Sequence, residues 1–141
     1  MSAAAICTSY IAEILQGIHL AADTYKIALF TSSASLDNTT TAYSATNEVG
    51  NSGTYAAGGA TLSGFAVSSS GKTAWLDFTS DPSWTSATIT ARYALIYNSS
   101  RSNKAVCVLD FGADKTSTAG TFLITFPTAD ASNALLRLTG P

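Results

Sequence analysis

The sequence predicts an all-β protein: a two-sheet antiparallel sandwich, jelly-roll-like, with one short N-terminal helix and a long loop at residues 32–59. Three observations lead there. Runs of alternating apolar residues recur after residue 22, separated by Gly, Pro, Asn and Ser, which is the pattern of strands joined by turns. Only two glutamates, Glu13 and Glu48, occur in 141 residues, so exposed helical surface lacks one of its usual residues. Charged residues make up 11% of the chain against 46% hydrophobic, which leaves Ser and Thr as the main polar surface. One domain spanning 1–141 accommodates this length, and a chain of this size buries enough surface to fold without disulfide or metal.

The elements follow in order. Residues 1–7 read as an N-terminal arm. Tyr10, Ile11, Ile14, Leu15 and Ile18 recur at helical spacing, with Thr8 or Ser9 as cap and Gly17 as stop, which predicts a helix near residues 8–17 lying on the body of the domain. From Tyr25 the period becomes two, and Thr24–Thr31 reads as a strand covered on both faces. Residues 32–59 show no period and are rich in Ser, Thr, Asn and Gly; a loop of that length is functional or disordered. Strands resume at Ala60–Ser68, Lys72–Thr79, Ser86–Asn98, Lys104–Phe111, Gly120–Phe126 and Ala134–Thr139, with Gly53–Ala57 as a local eighth. Residues 113–120 read as a loop. The absence of a Cys–Trp–Cys arrangement favours a jelly roll over an Ig-like sandwich. Trp75, Phe78, Leu95, Phe111, Phe122 and Ile124 form the expected core, and Asp77, between Leu76 and Phe78, is expected to face solvent.

Catalytic chemistry is sparse. His19 is the single histidine, and a Ser–His–Asp triad needs a base that reaches its nucleophile. Gly50-Asn51-Ser52-Gly53 has a faint likeness to a serine-protease nucleophile turn, but reads as a flexible turn. Asp77 with Asp81, or Asp110 with Asp114, are the available carboxylate pairs for a glycosidase; each reads more simply as a solvated or turn-capping aspartate. No aspartate spacing matches a calcium loop and no Gly-rich phosphate loop is present. We therefore expect no enzyme, no cofactor and no metal. Cys7 and Cys107 fit no metal or redox spacing and are expected to be free thiols.

The seven Lys and Arg are scattered and the net charge is −2, so no basic stripe for nucleic acid exists. No apolar run reaches the ~20 residues of a membrane span, and the N-terminus lacks a basic signal region. The expectation is a protein of cytosolic synthesis, used in its mature form without Sec export and binding neither nucleic acid nor membrane. A weakly charged surface suits a protein packed against others.

The order of segments resembles a known group. A short helix precedes Ala22-Asp23-Thr24-Tyr25-Lys26-Ile27-Ala28-Leu29-Phe30. Later come Ala91-Arg92-Tyr93-Ala94-Leu95-Ile96-Tyr97, Ala105-Val106-Cys107-Val108-Leu109-Asp110-Phe111-Gly112, Gly120-Thr121-Phe122-Leu123-Ile124-Thr125-Phe126 and Leu135-Leu136-Arg137-Leu138. Over most of residues 8–139 this resembles the small jelly-roll cement, or decoration, proteins on the heads of tailed bacteriophages; the loop at 32–59 has no counterpart. The resemblance implies a virion protein on the capsid surface, with the major capsid protein and further copies of itself, as a dimer or trimer, for partners. Many weak contacts would then hold neighbouring capsomers together. The other class is a receptor- or carbohydrate-binding module of a tail or spike. In either case the arm 1–7 and the 32–59 loop are expected to be mobile until bound, with Leu36, Tyr43, Val49, Tyr55 and Trp84 as partner-binding anchors.

Overall fold

The structure is a computed structural model describing all 141 residues. Two antiparallel sheets pack together as the sequence predicts. The chain runs through β1 (Ala5–Ile6), α1 (Thr8–Leu15), β2 (Tyr25–Phe30), β3 (Ala60–Thr61), β4 (Phe65–Ser70), β5 (Thr73–Phe78), β6 (Ser83–Asn98), a 3₁₀ turn (Ser99–Arg101), β7 (Lys104–Leu123) and β8 (Leu136–Thr139). The larger sheet has the order β1-β7-β6-β2-β3 and the smaller the order β4-β5-β8. The split is thus five strands and three, with the hairpins β4–β5 and β6–β7 each inside one sheet.

Burial explains why β2 is apolar at every position except Lys26. One face looks at the small sheet, where Tyr25 packs on Phe65 and Phe78 with ring centroids 5.1 and 5.7 Å apart. The other face carries Phe30, whose ring meets Tyr43 at 6.4 Å, and Tyr43 in turn stacks on Tyr97 at 4.6 Å. The large sheet is therefore covered on both sides where β2 crosses β6, and Ala94 to Asn98 are all buried. One apolar cluster joins both sheets.

Three expectations about the strands are revised. Residues 113–120 are part of β7 and pair with β6 (Lys115 with Ala91, Ser117 with Ile89). Their Thr, Ser and Ala side chains give no alternation because that stretch is solvent-exposed almost throughout. Gly64 splits the predicted Ala60–Ser68 strand into β3 and β4: its φ is +73°, and a Cβ there would lie 1.7 Å from Thr79 Oγ1. The arm is no free tail. Ala5 and Ile6 pair with Val108 and Cys107 at the edge of β7, and the Ala3 amide donates to Leu135 O at 2.7 Å.

The helix forms where expected, but Cys7, buried and without a capping bond from its side chain, holds the N-cap position in place of Thr8 or Ser9. The predicted stripe only partly reaches the body: Tyr10 is buried, whereas Ile11 and Leu15 are exposed. Of the predicted core, Phe78, Leu95, Phe122 and Ile124 are buried and Phe111 is half-buried against Phe122. Trp75 is a correction. It shares a strand face with Asp77, opposite to Leu76 and Phe78, and remains half-exposed.

Candidate interaction surface

The anchors chosen from the sequence lie mostly inside the molecule. Val49, Tyr55 and Trp84 are buried, and Leu36 and Tyr43 are half-buried against the core. The 32–59 segment is a fastened cover over the large sheet. Val49 N donates to Leu29 O, Thr31 N to Asn47 O, and Ala105 N to Thr41 O, each at 2.9–3.0 Å. Glu48 is its hub: the carboxylate accepts from Tyr43 Oη at 2.6 Å, and from Tyr55 Oη and the Gly58 amide at 2.7 Å each. Tyr55 Oη also accepts from the Leu29 amide at 2.9 Å. Burial, reinforced by the neighbouring carboxylate, pushes the phenols of Tyr43 and Tyr55 far up. Gly59, at φ +75°, closes the cover; a Cβ there would meet Ile27 O at 1.8 Å. Tyr43 and Tyr55 are held inward by the Glu48 network, which no periodicity announces, while Val49 and Trp84 are buried in the core.

The ionisable groups near α1 are joined in a second network. His19, whose side chain is 1% exposed, hydrogen-bonds Glu13 Oε2 through Nε2 at 2.6 Å. Asn98 Nδ2 lies 3.1 Å from His19 Nδ1 and donates to Asp23 Oδ2 at 2.9 Å. Because Asn98 Oδ1 accepts from the Ser100 amide, its amide orientation is set, and His19 Nδ1 is the acceptor. Both ring nitrogens are therefore engaged within the protein. Lys104 Nζ reaches Glu13 Oε1 at 3.0 Å, and Arg101 grips Asp23 with two bonds of 2.9 and 3.0 Å. The Arg101 fork lowers the Asp23 pKa far below the usual carboxylate range, outweighing burial. Burial works against ionised Glu13, but the bonds from His19 and Lys104 together outweigh it and lower its pKa. This network ties helix, following loop and β6–β7 turn together.

Three of the four paired carboxylates have structural partners as well. Asp77 is buried, contrary to expectation, because the segment before β8 covers it: Leu135 N donates to Oδ2 at 3.3 Å and Phe78 N to Oδ1 at 2.8 Å. Burial raises its pKa despite those bonds. Asp81 accepts from the Phe126 amide at 2.8 Å, and Asp110 pairs with Arg92 at 2.6 Å. Asp114 is exposed. Ser52, in the Gly50–Gly53 turn, accepts from the Thr88 amide at 2.8 Å. Cys7 and Cys107 are free and buried, and burial pushes the Cys7 thiol up to about 11.

Open apolar surface lies elsewhere. Between α1 and the inner face of the small sheet is a cleft of about 300 Å³ whose lining includes Tyr10, Ile14, Phe65, Val67, Leu76 and Leu138. Val67 on its rim is 63% exposed and Leu15 of α1 is 85% exposed, with Ile11 and Leu20 also in solvent. The cleft exists because eight helical residues cannot cover the whole face of β4, β5 and β8. The sequence offered one unread signal: Val67 and Ala74 continue the apolar alternation of Phe65 and Leu76 past the reach of the helix. No helix is long and apolar enough to cross a membrane.

Fold and surface together define a class: an all-β, two-sheet antiparallel sandwich with a covered large sheet and an open small one. Comparison with family models, curated proteins and solved structures produced no match.

Proposed function

We propose that this chain is a structural protein of a tailed-bacteriophage virion, a capsid cement protein that binds the outside of the head and ties major capsid protein subunits together. The observation that carries the reading is the division of labour among side chains. Glu13, His19, Asp23, Glu48, Asp77 and Asp110 hold the chain to itself, while uncharged apolar residues face solvent: Val67 on the cleft, Leu15 in α1 and Leu20 just after it. A stiff body with an apolar contact zone suits a protein that adheres by shape and burial. The resemblance in segment order to head decoration proteins supports the same reading, with the head surface as location and no nucleic acid or membrane as partner. Purified particles of a phage carrying the gene test it. Copy numbers by quantitative mass spectrometry should match capsomer numbers, and a cryo-EM map should place the sandwich on the shell. A few copies confined to the tail, or none in the particle, would refute it.

A specific feature favours a second reading, a carbohydrate-binding module of a tail or spike. A pocket of about 460 Å³ under the 32–47 stretch is lined by Ser35, Thr39, Thr41, Ser44, Thr46 and Asn47 among others, and no charged residue lines it. Neutral donors and acceptors of that kind match sugar hydroxyls. Glycan-array binding that is lost on filling the pocket with Thr41→Trp would select this reading over cementing.

A further inference from the structure

The two sheets end in strands of very different character. In the large sheet, β1 and β3 are two residues each, and the exposed outer length of β7 is interrupted by register shifts and carries Asp114 and Lys115. In the small sheet, β8 is four residues long and bears Arg137. Short length, bulges and charge are the devices that keep sheet edges from pairing with other chains. β4 has none of them. It is six residues long, Phe-Ala-Val-Ser-Ser-Ser, without charge or proline, and pairs residue for residue with β5 from Phe65↔Phe78 to Ser70↔Thr73 without a bulge.

Hydrogen-bonding direction along β4 follows from its start. The Thr79 amide donates to Gly64 O at 3.1 Å, so Gly64 and Thr79 form a bonded pair. Bonded and non-bonded pairs alternate in an antiparallel ladder. Ala66, Ser68 and Ser70 therefore turn their backbone groups toward β5, and Phe65, Val67 and Ser69 turn theirs to solvent. The same three residues point their side chains to the cleft face of the sheet.

We propose that β4 is a self-association edge: a second copy of this chain adds its own β4 antiparallel to the first, joining two small sheets into one six-stranded sheet across a two-fold axis. The strand is complementary to itself. With Val67 opposite Val67 of the second copy, Phe65 falls opposite the second copy's Ser69 and Ser69 opposite its Phe65. Every residue with free backbone groups then meets another such residue, and cleft-side side chains meet cleft-side side chains. A shift by one residue breaks both matches. The absence of charge on β4 removes like-charge repulsion between identical strands, and the contact removes Val67 from water. A two-fold interface of this kind is closed and self-limiting, and the dimer is a property of the isolated chain whether or not it coats a capsid.

Sedimentation analysis of the purified full-length chain, with three variants, tests the proposal. The wild type should sediment as a dimer. Val67→Lys places a charge at the two-fold axis, and Ser69→Pro removes an amide that only the second copy uses; prolines of that kind are tolerated on edge strands. Both variants should be monomers with circular dichroism close to that of the wild type and an unfolding midpoint close to that of the wild type under dimer-free dilution. Val67→Cys should form a covalent dimer under mild oxidation, since facing Cα atoms in a bonded pair are about 5.5 Å apart and the native thiols are buried. A monomeric wild type that Val67→Cys fails to cross-link, or a dimer that persists in both Val67→Lys and Ser69→Pro, would overturn the proposal.

Discussion

Where β2 crosses β6, the large sheet is buried on both faces; the small sheet leaves Ala66 to Ser70 of β4 in solvent. The difference comes from what covers each. The large sheet has the small sheet on one side and the 32–59 cover on the other, whereas the small sheet has a helix too short to close its inner face. The lesson is that an aperiodic, Ser- and Thr-rich segment can be the lid that makes a strand apolar on both faces. The segment that looks like an ordinary hairpin can be the open one.

The largest expected effect contrasts the two sheets directly. Leu95→Ala in the fully buried stretch of β6 should cost about 2–5 kcal/mol in urea unfolding. Val67→Ala on the open sheet should stay within about 0.5 kcal/mol under dimer-free dilution. Equal costs would erase the distinction.

Next comes the cover itself. Glu48→Ala strips the acceptor from Tyr43, Tyr55 and Gly58, leaving the buried Tyr55 hydroxyl with only main-chain partners. The expected loss is about 1–3 kcal/mol, together with faster hydrogen exchange at Thr31 and Val49. An unchanged midpoint would mean that the cover is held by its apolar residues alone.

Acid should act on the two regions with opposite sign. Glu13 and Asp23, which anchor the helix to the β6–β7 turn, have lowered pKa values. Their contribution is complete above the usual carboxylate values and fades as pH falls through the lower folded ones. Asp77, within β5, has a raised pKa, so its ionisation destabilises the fold: its contribution is complete below the unfolded value and fades as pH rises through the folded one. Thermal midpoints against pH should therefore lose part of their acid-side fall in Asp23→Asn. Asp77→Asn should lose part of the decline on the less acidic side. Parallel pH profiles for wild type and both variants would contradict the assignments.

The smallest effect is spectroscopic. With Trp84→Phe, the remaining Trp75 should emit to the red and be quenched by acrylamide. With Trp75→Phe, the buried Trp84 should emit to the blue and resist quenching.

Apolar, β-branched and aromatic runs bounded by turn residues made β2, β5 and the second half of β6 legible, because buried strands concentrate such residues between Gly, Asn and Pro. The distal half of β7 was illegible: its own side chains are small or polar and nearly all meet water, although Ala87, Ile89 and Ala91 opposite them on β6 are buried, so Thr116, Ser117 and Thr118 carry no alternation. Asp77 was misplaced because its cover comes from Leu135, 58 residues away, and sequence spacing does not report that. Tyr55 and Trp84 were singled out as aromatics on irregular sequence, yet they pack on each other at 5.4 Å in the interior. The open edge was hidden in plain composition, since a strand without charge looks the same whether it is central or terminal.

Residue-resolved amide exchange on the isolated protein, diluted until monomeric, tests the central claim of a closed sheet and an open one. The account predicts slowest exchange in β2, Ala94 to Asn98 and Ala105 to Leu109, with Val49 and Thr31 also protected by the cover. In β4 it predicts alternation: Ala66, Ser68 and Ser70 protected by β5, and Phe65, Val67 and Ser69 exchanging fast. Uniform protection along monomeric β4, or fast exchange at Val49 and Thr31, would contradict it.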